Sequence, residues 1–286
     1  YAPMRFKYGM LAPLLTLFAV AVGFPLCYAL YLSVTDYELT DRGTPDIVGV
    51  ANFSDALDNS AFWDAFATTA IYVVVAVSLE LVLGFAVALA LYRQRWAKDL
   101  ARAIVLAPMF ITPIAVGLIF RFLLNDQIGA VPALLHAVGA GYDFFGPGRA
   151  LLTLAFIDVW QWTPFMFVIL LAGLTAIPPN LYEAAELDGV GPWQVFWSIT
   201  VPHLGPMILL AITFRLLDAI RLFDTIFIMT GGGPGTSTYT ASYYLYTIGF
   251  TQFHLSQATA GSWLFLIFTA LVVVFLVRRL LKAETN

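Results

Sequence analysis

An all-α membrane protein with six spanning helices is the fold class predicted by this 286-residue sequence. Three observations predict it. Hydrophobic residues make up 60% of the chain and charged residues only 11%, with a mean hydropathy of +0.85. A water-facing domain carries about 25% charged residues, so too little polar surface is present to cover one. The apolar residues fall into six runs, each near the ~20 residues that a helix needs to cross a bilayer. Lys and Arg are spread unevenly between the connecting segments, as in oriented membrane chains. Composition alone excludes a nucleic-acid binder, a disordered chain and a soluble α/β enzyme. The net charge of −4 is too small and dispersed to name a partner. The single cysteine, Cys27, lies in an apolar run, which excludes a disulfide framework and a thiolate metal site.

The first run, Tyr8–Ser33, is too long for a signal-peptide core and lacks a small-residue cleavage site. Residue 1 is Tyr rather than Met, which leaves the natural N-terminus open. Phe62–Tyr92 follows, with an interfacial approach through Phe62–Phe66. The remaining runs are Ala103–Leu124, Ala150–Gly173, Pro206–Thr230 and Ala258–Val277. Backbone groups in hydrocarbon bond within their own segment, so each run is expected to be α-helical. If the N-terminus is cytoplasmic, the inside segments hold nine Lys and Arg residues, among them Arg93, Arg95, Lys98 and Arg102. The outside segments hold two, Arg42 and Arg149. That asymmetry places both termini in the cytoplasm. The outside loop Asp36–Ala61 is acidic, carrying Asp36, Glu38, Asp41, Asp46, Asp55 and Asp58. Asn125–Arg149 is Gly-rich with a short helix expected near Val131–Val138, and Gly231–Gln257 is rich in Gly, Thr and Tyr. There is no internal repeat or soluble insertion, so residues 1–286 read as one transmembrane domain.

The inside loop Leu174–Gly205 breaks the charge rule. It has no Lys or Arg but carries Glu183, Glu186 and Asp188. Pro178 and Pro179 end the preceding span, and Leu181–Leu187 is made of good helix formers. Asp188-Gly189 supplies a C-terminal stop, because Gly tolerates the left-handed turn. Pro192 suits the first turn of a second helix, on which Trp193, Phe196 and Ile199 share a face. Pro202 and Pro206 are expected to break the chain before the fifth span. The result is a helix–Gly–helix knob. Its acids suit docking into a basic or mixed cleft of a partner, with an ordinary interfacial hairpin as the alternative.

These residues carry a resemblance. Glu183-Ala184-Ala185, Asp188-Gly189, Phe196, Ile199, Pro202 and Pro206 resemble the EAA loop of ABC importer permeases. Val190 and Val201 are mild departures from its usual Ala or Ser and Leu. A second block, Phe223-Asp224-Thr225-Ile226 with Thr230-Gly231-Gly232-Gly233-Pro234-Gly235, resembles the maltose-permease-like carbohydrate branch of that family. The likeness is clearest over residues 62–280, a core that includes the coupling loop 178–205. It implies the type I ABC importer permease fold in the plasma or inner membrane. It also implies one half of a translocation pore and a role in sugar import. The implied partners are a second homologous permease, two ATP-binding subunits, an extracytoplasmic substrate-binding protein, membrane lipid and a sugar substrate, with no nucleic acid. ATP and Mg would sit on the partner ATPase; this chain would bind no cofactor and catalyse no reaction. By the same resemblance, Glu183, Ala184, Ala185, Glu186, Asp188, Gly189, Phe196, Ile199 and Pro202 form the ATPase-coupling set. Glu183 would pair with a basic residue of the ATPase. A glycerol-phosphate or polyol importer is the alternative substrate class.

The glycine-rich stretch Gly231, Gly232, Gly233 and Pro234 superficially resembles a phosphate-binding loop. It lacks the lysine that such a loop requires, and a tight ordered turn is expected instead. Ionisable residues within spans are costly and face a protein interior or a wet cavity. Here they are Glu80, Arg121, Asp158, Arg215, Asp218, Arg221 and Asp224. The spacing lets Arg215 pair with Asp218 and Arg221 with Asp224. Glu80 and Arg121 are expected to bond between helices. Asp158, Gln161 and Trp162 offer a carboxylate, an amide and an indole suited to a sugar, and together with Arg221 and Asp224 they are the substrate-path candidates. The competing roles are packing or an interfacial position for the tryptophan, and neutral glue between helices or between permeases for Arg221 and Asp224. Thr163-Pro164 is expected to kink or unwind this helix. The three histidines, His136, His203 and His254, lack ligand spacing, so no metal site is expected. An ion-coupled secondary transporter, an intramembrane enzyme and an assembly subunit are weaker readings. The first leaves the EAA-like loop unexplained, the second lacks a catalytic set, and the third leaves the buried polar positions without a purpose.

Overall fold

The computed structural model describes residues 4–40, 43–94 and 98–284. Asp41, Arg42 and Arg95, part of the expected charge pattern, lie outside the described residues, as does Tyr1. Apart from one isolated bridge, Thr35 to Ile47, the described residues form helices, turns and loops. Five stretches are long and apolar enough to cross a membrane: Leu11–Ser33, Ser60–Tyr92, Ala150–Ala176, Pro192–Ala219 and Leu255–Arg279. A sixth forms only if the bent pair Lys98–Phe110 and Pro113–Leu123 counts as one. The chain divides into two units, one within Tyr1–Asp64 and Tyr244–Phe268, the other within Ala65–Tyr243 and Thr269–Asn286.

In the first unit, α1 (Met4–Phe18) runs through a π-helical turn, Ala19–Gly23, into α2 (Phe24–Ser33). Leu14, Leu17, Phe18 and Phe24 are exposed along it, an apolar surface that needs lipid or a partner around it. The acidic segment that follows is ordered by polar contacts. Asn52, on the unpredicted helix α3 (Ala51–Asp58), donates to the carbonyls of Ser33 (3.0 Å) and Thr35 (2.7 Å). It thereby satisfies acceptors freed where α2 ends. The Tyr37 N–H donates to Ser256 Oγ at 2.7 Å, and His254 Nδ1 lies 3.0 Å from Glu38 Oε1.

The second unit holds most of α4 (Ser60–Arg93) and the elements that follow it. These are α5 (Lys98–Leu106), α6 (Pro113–Leu123), α7 (Ala130–Ala137) and α8 (Ala150–Ala176). Next come α9 (Pro179–Leu187), α10 (Pro192–Val195), α11 (Val201–Ala219) and α12 (Asp224–Met229). α13 (Ala241–Tyr246) and α14 (Leu255–Glu284) follow, each with residues assigned to both units. The core lies along α8, whose Leu154, Ile157, Met166, Phe167, Leu170 and Leu174 are buried. Close approach needs small residues. A Cβ on Gly84 of α4 would lie 2.6 Å from Met166 Cβ, and one on Gly173 of α8 would lie 2.6 Å from Leu204 Cδ2 on α11.

Five expectations need correction. The third span is not one helix. It breaks between a short 3₁₀ turn, Ala107–Phe110, and α6, with the two axes at 93°. Pro113 disfavours the helical conformation at the residue before it, and Thr112 is extended at ψ 143°. The fifth span begins earlier than Pro206 and stops before Thr230. Helix continues from α10 through a π-helical turn, Phe196–Thr200, into α11 and ends at Ala219. Pro202 therefore does not break the chain. It follows the π-helical turn inside a helix that is already running, and Pro206 is carried inside α11. Finally, α8 does not unwind at Thr163-Pro164: its helix continues through both residues, with Pro164 inside it. The fifth correction concerns the Arg221 pairing, described with the site.

Candidate functional site

The knob between α8 and α11 forms as its residue types dictate. Pro179 opens α9 at a position that needs no N–H donor. At its end Val190 N–H donates to the Ala185 carbonyl (3.0 Å) and Gly189 N–H to that of Glu186 (3.1 Å). This is the two-bond Schellman stop, and it needs the left-handed φ of +69° that Gly189 adopts. Ala185 is buried, whereas Glu183, Glu186 and Asp188 are exposed. Among the described residues none of these three acids has a cation within salt-bridge distance. Leu187 is 89% exposed and Trp193 73%, so apolar surface flanks the acids. Phe196 turns inward, with its ring 5.4 Å from Phe85 of α4. Ile199 follows in the π-helical turn, where its carbonyl lies 2.7 Å from His203 Nδ1. A cavity of about 620 Å³ separates α4 from the knob, lined by Leu89, Tyr182, Glu186, Phe196 and Thr200 among others.

A second constellation lies in the core. Arg215 of α11 is 2% exposed, and its guanidinium is shared by three carboxylates. Glu80 of α4 takes two bonds, from Nε (2.7 Å) and Nη2 (2.9 Å). Asp158 of α8 also accepts from Nη2, and Asp218, one turn along α11, accepts from Nη1 at 2.9 Å. A buried cation requires such pairing, and the planar fork of arginine suits two-pronged carboxylate contacts. The Trp162 ring lies under the guanidinium, 5.2 Å from centroid to Cζ, a cation–π contact. Three helices that are distant in sequence are thereby tied at one point.

Arg221 pairs differently from the expectation. Its Nη2 lies 4.0 Å from Asp218, three residues back, rather than beside Asp224. The helix ends at Ala219 and Asp224 opens α12, so the i,i+3 geometry of one helix does not reach from Arg221 to Asp224. Arg221 is 71% exposed.

Asp158, Gln161, Trp162, Arg221 and Asp224 all line one cavity of about 90 Å³, with Arg215 and Asp218 also in its wall. Gln161 is buried and its amide donates to the Ile111 carbonyl at 2.8 Å. That carbonyl is freed by the break before α6, so Gln161 closes the account of the broken span. Arg121 donates to the Ile228 carbonyl at 2.6 Å. Glu80 and Arg121 thus both bond between helices.

The glycine turn is ordered. Gly231, Gly232 and Gly235 have positive φ, and the Gly233–Pro234 peptide is cis. Thr238, fully buried, donates to the Gly233 carbonyl at 3.0 Å, and its N–H donates to that of Gly232. A Cβ on Gly232 would strike the Tyr239 ring and lie 2.7 Å from Tyr243 Cε1. Two supports were not anticipated from the sequence: Thr69 Oγ1 accepts from the Ala241 N–H, and Thr240 Oγ1 donates to the Leu222 carbonyl. Thr240 lies close after the turn in sequence, whereas Thr69 is 172 positions from Ala241 and no sequence signal pointed to it.

Comparison with known proteins assigns this architecture. Residues 80–283 match the family described as binding-protein-dependent transport system inner membrane component. A probable ABC transporter permease protein, y4oQ, of Sinorhizobium fredii is 38% identical over 275 residues, covering 96% of this chain and 89% of that protein. The trehalose/maltose transport system permease protein MalF of Thermococcus litoralis is 34% identical over 277 residues, covering 96% and 92%. A solved bacterial ABC transporter involved in the import of the acidic polysaccharide alginate shares the fold. Its TM-score is 0.82 over 97% of this chain and 96% of that one, at 21% identity. The chain therefore belongs to the family of binding-protein-dependent transport system inner membrane components: it is a multi-pass ABC transporter permease subunit, with the ATPase on a separate subunit.

Proposed function

We propose that this chain is one half of the pore of a sugar importer and that the knob at Pro179–Thr200 is its contact with the ATPase. The observation that carries this reading is the rigid Schellman stop beside three exposed acids and exposed Leu187 and Trp193. A pre-shaped acidic and apolar surface fits a partner groove that supplies cations. In this reading both termini are cytoplasmic. A second permease completes the pore, and two ATPase subunits bind ATP and Mg. An extracytoplasmic binding protein delivers the sugar. Closure of the ATPase dimer moves the knob, and the long helix from Pro192 to Ala219 carries that movement toward the core as a rigid element.

The substrate class rests on the trehalose/maltose permease among the relatives and on the mixed polar and aromatic lining of the small cavity. There Arg221 and Asp224 face the path, while Asp158, Gln161 and Trp162 also hold the wall together. One observation favours a phosphorylated polyol as a second reading: Arg221 is largely exposed and only loosely held by Asp218. The test is reconstitution of the full complex in liposomes with its binding protein. ATP-dependent uptake of labelled trehalose or maltose is the expected result. Uptake of glycerol phosphate alone would select the second reading, and uptake of neither would refute both.

A further inference from the structure

The third and fifth spans break near the same cavity, and the segments beyond the breaks find each other. α6 begins at Pro113 and α12 at Asp224, both in the cavity wall. α12 has six residues, too few to be stable alone. It packs on α6 where Gly117 opens space: a Cβ there would just touch Ile228 Cβ and Cγ2 at 3.4 Å. Ile228 lies in the last turn of α12, where carbonyls lack intrahelical donors. Arg121, in the last turn of α6, donates to that carbonyl at 2.6 Å. A cation at a helix C-terminus also complements the helix dipole. The cap of α12 is therefore supplied by another helix. At the opposite end of α6, the break itself is tied to α8 through Gln161 and the Ile111 carbonyl.

We propose that α6 and α12 form a single leaf that moves as one body over the cavity, and that Arg121 is the positioning residue that binds the two halves. The movement, though not the bond, rests on the importer reading. Arg121 acts through the backbone of α12 and touches no substrate in this proposal.

The test uses spin-label distances in the purified full complex. Labels at Phe122 on α6 and Phe227 on α12 report the leaf, and labels at Phe122 and Phe156 on α8 report its movement; all three side chains are well exposed. On trapping with ATP, the α6–α12 distance should hold, while the α6–α8 distance changes by about 2 Å or more. Equal changes in both pairs, or no change in the second while uptake proceeds, would overturn the moving leaf. A second measurement needs no transport. In the resting complex, Arg121→Met should broaden the α6–α12 distance distribution, and Arg121→Lys should keep it narrow. An unchanged distribution in Arg121→Met would overturn the positioning role. A complex that shows no uptake at all yet broadens in Arg121→Met would refute the importer reading and leave the α6–α12 bond standing.

Discussion

The core cluster around Arg215 and the knob at Pro179–Thr200 both concentrate acids in an apolar chain, and they treat them in opposite ways. In the core, Glu80 and Asp158 are buried and each bonds the same guanidinium. On the knob, Glu183, Glu186 and Asp188 are exposed, and among the described residues no cation answers them. The core acids are satisfied within the chain and fix three helices to one another. The knob acids are held in place by a backbone motif that costs nothing in charge, leaving their carboxylates available. In the proposed reading, the exposed acids on their rigid scaffold are the surface that meets the ATPase, whereas the buried, saturated cluster joins three helices of the chain itself.

The comparison breaks most readily at Arg215. Arg215→Met strands two buried carboxylates, and about 3–5 kcal/mol of stability should be lost. The check is the melting temperature and monodispersity of the detergent-solubilised complex. Replacing Glu80 and Asp158 with leucine in the same variant should restore much of that loss, since apolar groups of similar size often replace buried ion pairs without penalty. Gly189→Ala comes next. Its left-handed φ should cost about 1–2 kcal/mol and loosen the knob, so binding-protein-stimulated ATP hydrolysis should fall more than chain stability does. Arg221→Met should change stability least, by less than about 1 kcal/mol, because its ion pair is long and exposed. If it lowers sugar uptake while the melting temperature holds, the path assignment is sharpened; if uptake is also unchanged, Arg221 leaves the list of path residues.

Much of this architecture was legible in the sequence. Apolar runs located the long helices, because each buries or exposes its own length of hydrocarbon. Pro179, Gly189 and Pro192 marked the knob, because each acts through local backbone geometry. The α7 helix was likewise legible near Val131–Val138. What was hidden depends on distant residues. Arg215 and Asp218 are visible as a pair three apart, but Glu80 lies 135 positions from Arg215, and no spacing rule reaches it. The break at Thr112 was written in Pro108 and Pro113 but masked by the continuous hydrophobicity around them. The end of α11 at Ala219 was masked in the same way, and with it the pairing of Arg221. Pro202 misled in the other direction: a helix was already running when it arrived, and the π-helical turn before it accommodated the ring. The gathering of Asp158, Gln161, Trp162, Arg221 and Asp224 around one cavity arises only when α8, α11 and α12 are assembled.

The central claim is that the knob couples this permease to its ATPase through acids that have no cation partner among the described residues. Glu183→Lys in the purified complex tests it most directly, read as ATP hydrolysis with and without loaded binding protein. Stimulation should be lost, while the melting temperature of the permease stays within the small change expected of an exposed substitution. Full stimulation in a correctly assembled Glu183→Lys complex would contradict the account.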